Sequence, residues 1–316
     1  MKEYCYRFLI VLSQRIGLWV FQVGAWVIAS GYFLLFPGRV AVGVRLYGAL
    51  YPERGLPYRL WCTWKQFHSF PHVFLDRFLL SDNQASITYT HAGWEHLDEA
   101  LNSGDGGILL MSHVGNWEVA SRILQEWRGE NHRLKLLLYL GKKHQEQIER
   151  TQKESLVRSG VRIIAVEQEG SSPLDIIEGV NFLKAGGLVS LAGDRRWRED
   201  QRLVAVRFLG HEAFLPETPF RFALLSGAPL FIFFACRTGS QTYHFQVLPP
   251  VFVRAKVRQG RRDAIQRAAQ FYADRLEETV RQYPFEWFHF EPFIGKEEYQ
   301  RSTAKNDLQR DDLSAP

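Results

Sequence analysis

"GILLMSHVGNWEVASRIL", Gly107 to Leu124, joins two periodicities across one short turn. Gly107 to Met111 is an apolar run without alternation, the pattern of a strand covered on both faces. "NWEVASRILQEW", Asn116 to Trp127, brings its apolar residues round at helical spacing, with Asn116 placed to cap the N-terminus. Gly115 allows the tight turn between them. A packed core has no need of His113 or Glu118 at such a turn. In open α/β sheets, functional groups collect beyond the carboxyl ends of the strands, which is where this reading puts His113.

The same strand-then-helix order runs outward in both directions. "ASITYTH" (Ala85 to His91) reads as a strand and "GWEHLDEALNSG" (Gly93 to Gly104) as a helix. "LKLLLYL" (Leu134 to Leu140), "VRIIAV" (Val161 to Val166) and "LVSLAG" (Leu188 to Gly193) are further strands. They are separated by a charged helix over His144 to Gly160 and a capped helix over Ser172 to Gly187. "GAPLFIFFAC" (Gly227 to Cys236) and "YHFQVLPP" (Tyr243 to Pro250) follow, then a helix from Asp263 to Gln282. This alternation predicts an α/β fold, with a mostly parallel central sheet flanked by helices.

The N-terminal part has a different character. "GLWVFQVGAWVIASGYFLLF", Gly17 to Phe36, contains no charged residue and ends at Pro37-Gly38. Its length matches the hydrocarbon core of a bilayer at 1.5 Å per residue, so it is expected to be a membrane-anchoring helix; the alternative is a buried helix. Basic residues on its two sides nearly tie, which leaves its orientation open. Gly17, Gly24 and Gly31 recur every seven residues and form a smooth seam on one face. "PYRLWCTWKQFHSFPHVFLDRFLL", Pro57 to Leu80, reads as an amphipathic helix interrupted near Pro71, lying along a membrane or covering the core. The chain is therefore expected to divide into an anchor and linking helix (1–56), a main domain (57–295) and a polar tail (296–316) whose composition predicts disorder.

Composition narrows the function classes. The net charge is +5, but the basic residues are dispersed and no nucleic-acid module is present, which excludes a nucleic-acid partner. An anionic membrane surface or an acidic partner suits such a charge. The three cysteines, Cys5, Cys62 and Cys236, have no metal-ligand spacing and suggest no disulfide framework. Neither a G-x-S-x-G elbow nor an H-E-x-x-H helix occurs, so no protein nucleophile and no metal site are read. What the turn does offer is a general base. Glu118 fixes one imidazole nitrogen of His113 as a donor, and the other nitrogen takes a proton from a bound hydroxyl or amine. A bare H-x4-E is by itself a weak signal; a structural histidine beside a helix-dipole glutamate has the same spacing.

The signal strengthens with the segments that accompany it. "SHVGNWEVA" (Ser112 to Ala120) resembles the H-x4-[D/E] block of the lysophospholipid acyltransferase superfamily. It is most similar to the lipid A late acyltransferases, the lauroyl and myristoyl transferases. "GGLVSLAGDRRW" (Gly186 to Trp197), "VRFLGHEAFLPETPFRFALLSGAPLFIFF" (Val206 to Phe234) and "PFEWFHFEPF" (Pro284 to Phe293) follow in that family's order, so the resemblance covers most of the chain. It implies transfer of an acyl chain from an acyl carrier protein or coenzyme A thioester to a lipid-borne hydroxyl, with no further cofactor. His113 and Glu118 would be the catalytic residues, and Asn116, Asp194, Arg195 and Arg196 would contact substrate. Arg195 and Arg196 would hold a phosphate or steady the oxyanion. "GDRRW" departs from the lauroyl-transferase pattern, so the acceptor is read as a glycolipid or lipid A-like molecule, with a glycerophospholipid or phosphatidylinositol mannoside as the alternative. A catalytically inactive membrane-associated scaffold is the reading from another class. Lys142, Lys143 and His144 follow a strand and stay outside the catalytic set. Because thioester donors are cytosolic, the expected location is the cytoplasmic side of the inner membrane.

Overall fold

The structure, a computed structural model, describes residues 17–81, 87–127, 134–141, 161–166, 173–196 and 201–295. Three helices come first: α1 (Leu18–Leu35), α2 (Pro37–Leu50) and α3 (Leu56–Ser81). A βα alternation follows: β1 (Thr88–Ala92), α4 (Trp94–Asn102), β2 (Gly107–Gly115), α5 (Trp117–Trp127), β3 (Leu136–Gly141), β4 (Arg162–Val166), α6 (Pro173–Lys184) and β5 (Leu188–Ala192). The hairpin β6 (Leu203–Phe208) and β7 (His211–Pro216), helix α7 (Thr218–Ser226), strands β8 (Leu230–Gly239) and β9 (Thr242–Val247), and the long helix α8 (Arg261–Gln282) complete it.

Seven strands form one sheet in the order β1-β9-β8-β2-β5-β3-β4. The five from β8 to β4 are parallel, and β9 turns back antiparallel on β8 with β1 parallel to β9. The expected α/β architecture with a mostly parallel sheet is therefore present. Its unalternating apolar runs follow from double coverage, because successive side chains go to opposite faces. Ile108 and Leu110 of β2, with Ile232 and Phe234 of β8, pack on the face covered by Ala269, Tyr272 and Leu276 of α8. Leu109 and Met111, with Phe231 and Phe233, pack on the face covered by Trp94 and Leu97 of α4 and Ile123 and Leu124 of α5.

The N-terminal apolar run forms one helix within the bounds read from the sequence: α1 ends at Leu35, and Pro37 starts α2 with a bend of 91°. Proline at the first position of a helix loses no hydrogen bond, so it begins this one as naturally as it ends the last. Among the described residues, no single helix is long and apolar enough to cross a membrane; the bent pair meets that test only together. The glycine seam makes no close contact at Gly31, where an added Cβ would meet nothing within 4 Å. The close approach is at Gly43 of α2, whose Cβ would overlap the side chain of Thr63 on α3. The interruption expected near Pro71 is absent: α3 runs unbroken through it. Its flanks hold it on both sides: Phe67 and Val73 are buried, and Leu75 and Leu79 pack with Phe21 of α1. The expected helix at 144–160, the residues Lys142, Lys143 and His144, and the 296–316 tail lie outside the described residues.

Candidate active site

Sheet register builds the site. β2 and β5 are adjacent parallel strands that pair Met111 with Ala192. Two residues further along each, the chain places His113 and Asp194. The ladder is prolonged by the Gly193 N–H donating to the Met111 carbonyl at 2.8 Å. On its other side β2 leaves register with β8 between Met111 and Gly115, so His113 sits on an irregular strand end, freed from the flat pleat. Gly193 is required for the approach, because a Cβ there would come within 2.7 Å of the Tyr272 ring and 2.8 Å of Leu110.

His113 and Asp194 meet twice. Nδ1 of His113 lies 2.8 Å from Oδ1 of Asp194, and the His113 backbone N–H donates to Oδ2 at 2.8 Å. A third donor, the indole N–H of Trp287, reaches the same Oδ2 at 2.8 Å. The aspartate is 2% exposed, and burial alone would push its pKa up. The charge and hydrogen bonds of His113, with His289 adding to them, outweigh burial and hold the carboxyl well below the usual range. A carboxylate in that state only accepts, so Nδ1 of His113 is the donor and the basic lone pair of the neutral ring is on Nε2. Burial and the nearby Arg195 guanidinium lower the His113 pKa below its ordinary 6.5, against the opposing pull of Asp194. The imidazole is thus neutral at neutral pH, as a base requires.

The other residues singled out in the sequence are distributed around this contact. Glu118 is buried in the first turn of α5. The carboxylate on Nδ1 of His113 is that of Asp194. Asn116 is 1% exposed, and both amide hydrogens are taken, by the Val73 carbonyl at 3.0 Å and the Tyr243 hydroxyl at 3.4 Å. Its Oδ1 accepts the Val119 N–H at 3.4 Å as the N-cap of α5. Asn116 therefore ties the β2–α5 turn to α3. Tyr243 in turn donates to Asp76, which also receives Arg237 at 2.7 Å. Arg195 and Arg196 follow Asp194 directly. Arg195 donates from Nη2 to the Phe288 carbonyl at 3.2 Å, while its Nε and Nη1 of Arg196 are buried with no hydrogen-bond partner among the described residues. Guanidinium donors left unmet are what an anionic group would satisfy.

Sequence reasoning missed Trp287 and His289. His289 is 6% exposed, and its Nδ1–H donates to the Glu291 carbonyl at 3.0 Å. Burial first, and Arg195 second, bring its pKa down to about 4, so it stays neutral beside the pair. Both residues belong to an irregular segment, and no periodicity marks them.

Comparison with known proteins gives a consistent picture. A family model described as bacterial lipid A biosynthesis acyltransferase matches residues 65–293, a span that contains all of these residues. Phosphatidylinositol mannoside acyltransferases from two strains of Mycobacterium tuberculosis, H37Rv and CDC 1551, are each 26% identical over 200 residues. Those alignments cover 63% of this chain and 58% of each relative, so the match spans little more than half the relatives' length.

Proposed function

Because the chain belongs to the bacterial lipid A biosynthesis acyltransferase family, we propose that it moves a fatty acyl chain from an acyl thioester to a hydroxyl of a glycolipid, with His113 as the base. The observation that carries this reading is the 2.8 Å contact of His113 with Asp194 at two paired strand ends. Nε2 of His113 removes the acceptor hydroxyl proton as its oxygen attacks the thioester carbonyl. The tetrahedral intermediate then expels the thiolate, and the imidazolium returns the proton to that sulfur. Asp194 holds the ring in the donating tautomer and stabilises its charge, acting as a positioning residue. Glu118 stays in this account as a second carboxylate near the turn, favoured by the N-terminus of α5. Arg195 and Arg196 take the oxyanion or a phosphate of either substrate.

The names of the mycobacterial relatives support a glycosylated phospholipid as the acceptor, so a phosphatidylinositol mannoside-like lipid stands beside a lipid A-like one. The donor is an acyl carrier protein or coenzyme A thioester. Lipid extracts of cells with and without the protein, compared by mass spectrometry, test the reading. A lipid heavier by one acyl group only in the producing cells is expected, and its fragments identify acceptor and chain. No new lipid in a host that holds both acceptor classes would favour the scaffold reading instead.

The same proposal places the protein on the cytoplasmic face of the inner membrane, with α1 lying in the interface. Phe21 and Ala29 of α1 are buried, and Phe21 packs with Leu75 and Leu79 of α3. Trp26 and Phe33 stack edge-on against Trp64, and Phe33 against Phe67. The outer side shows Trp19, Val23, Val27, Ile28, Leu34 and Leu35, each 47–75% exposed. An α1 standing across the bilayer would drag in α3, with Lys65, Gln66, His72 and Asp76, at a cost far above the gain from a few more buried side chains. An in-plane helix buries only its outer face. Val23→Asp with Val27→Asp is expected to weaken partition onto anionic phospholipid vesicles at least about ten-fold, since each valine contributes roughly 1.5 kcal/mol when buried. Unchanged partition in a sedimentation assay contradicts this placement.

A further inference from the structure

The segment from Pro284 to Ile294 forms a strap against the end of β2. The Gly115 N–H donates to the Glu286 carbonyl at 2.7 Å, and the Phe288 N–H donates to the His113 carbonyl at 2.9 Å. Val114 and Trp287 thus oppose each other in an isolated antiparallel bridge, with the base one residue away. Such pairing aims the Trp287 indole at the end of β5, where it meets Asp194. The helical layer holds the strap from behind. Gln66 of α3 donates to the Trp287 carbonyl at 2.6 Å, Arg39 of α2 to the Phe290 carbonyl at 2.6 Å, and Tyr47 of α2 to the Pro284 carbonyl at 2.8 Å. Phe67 and Phe70 of α3 pack against Phe290 and Phe288 with ring centroids 5.0 and 5.2 Å apart.

We propose that Trp287 is a positioning residue for the reaction: its indole N–H fixes the rotation of the Asp194 carboxylate and draws negative charge away from the oxygens that face His113. Two features set it apart from ordinary core packing. Trp287 is 1% exposed, yet its single polar side-chain atom goes to the carboxylate that meets Nδ1 of His113. Its own position is set by hydrogen bonds at the Trp287 carbonyl and on both sides of Trp287, at the Glu286 carbonyl and the Phe288 N–H, not by side-chain packing alone. Removing that donor leaves more charge on the carboxylate and favours the imidazolium. The direction of the effect follows: without the indole N–H, His113 holds its proton to higher pH, and the acid limb of kcat/KM rises with it.

The inference rests on the proposed role of His113, and the test separates the two. In purified Trp287→Phe, the His113 ring titration is followed by NMR alongside the pH profile of acyl transfer. Both are expected to move up by about half to one pH unit, the share of a hydrogen bond to a charged group that this position carries. A lower kcat with neither midpoint moved would mean that Trp287 only packs, and the inference falls. The NMR titration needs no turnover, so it judges Trp287 even if His113→Ala retains full activity and the base reading fails. Should Trp287→Phe not fold, the Trp287 indole proton itself is read in Asp194→Ala. It should exchange faster and move upfield there, whereas an unchanged signal overturns the contact.

Discussion

Asp194→Asn should lower kcat by about 10²–10⁴ while leaving the fold intact. Two carboxylate oxygens receive three N–H donors, from the ring and the backbone of His113 and from Trp287. Asparagine keeps one oxygen. If that oxygen faces Nδ1, the new amide hydrogens point at two donors, the His113 backbone N–H and the indole. If the amide is flipped, its hydrogens face Nδ1 and force the proton onto Nε2, the nitrogen that the proposed mechanism needs free for the substrate proton. Either arrangement sets a donor against a donor in a site where the aspartate is 2% exposed, and an unmet buried polar group costs about 1–3 kcal/mol. Steady-state kinetics with an acyl thioester, alongside a melting curve, checks this. A folded Asp194→Asn with wild-type kcat would remove Asp194 from the mechanism. Glu118→Gln, measured in parallel, shows how far the second carboxylate shares the work.

Gly115→Ala is expected to be the most damaging single-methyl change in the turn. Gly115 has φ +67, a conformation that costs other residues about 1–2 kcal/mol. Its missing Cβ would also overlap the Ala235 carbonyl oxygen, and backbone cannot rotate aside as a side chain can. The strand end must therefore shift away from β8, taking His113 with it and breaking the Gly115–Glu286 hydrogen bond. A loss of about 3 kcal/mol or more is expected, a fall in Tm of roughly 6–12 °C for a domain of this size, with activity falling further than stability. A scanning calorimetry trace unchanged from wild type contradicts the turn geometry.

How much of this could be read from the sequence depended on distance along the chain. The β2–α5 unit, its Asn116 cap and the glycine turn were legible because all of their determinants lie within twenty residues. Asp194 is legible as a strand-end residue, but the sequence places it 81 positions from His113, whereas Glu118 is only five away. Only the order of strands in the sheet makes β5 the neighbour of β2, and only the Met111–Ala192 register brings 113 opposite 194. A signal was present in retrospect: "GILLMSH" and "LVSLAGD" each end an apolar strand with a titratable residue two positions on. The β6–β7 hairpin escaped because its turn is Leu209-Gly210 with positive φ at both positions, a conformation that Asn-Gly or Asp-Gly normally announces. Trp287 escaped for a different reason. The strap has no period at all, and its hydrogen bonds reach carbonyls, which every sequence has in equal number. At Pro37 one residue carried two meanings, the end of one helix and the first turn of the next, and the bend between them decides whether the apolar run spans or lies flat.

The most direct test of the account is acyl transfer by the purified protein and by His113→Ala, assayed in mixed micelles with a long-chain acyl thioester and a phosphorylated glycolipid acceptor. Product is read by mass spectrometry, with membrane binding and melting temperature measured on the same samples. The account predicts an acyl ester formed by the wild type and a rate lower by at least about 10² in His113→Ala, with folding and membrane binding retained. The same ester formed at the same rate by a folded His113→Ala would contradict it.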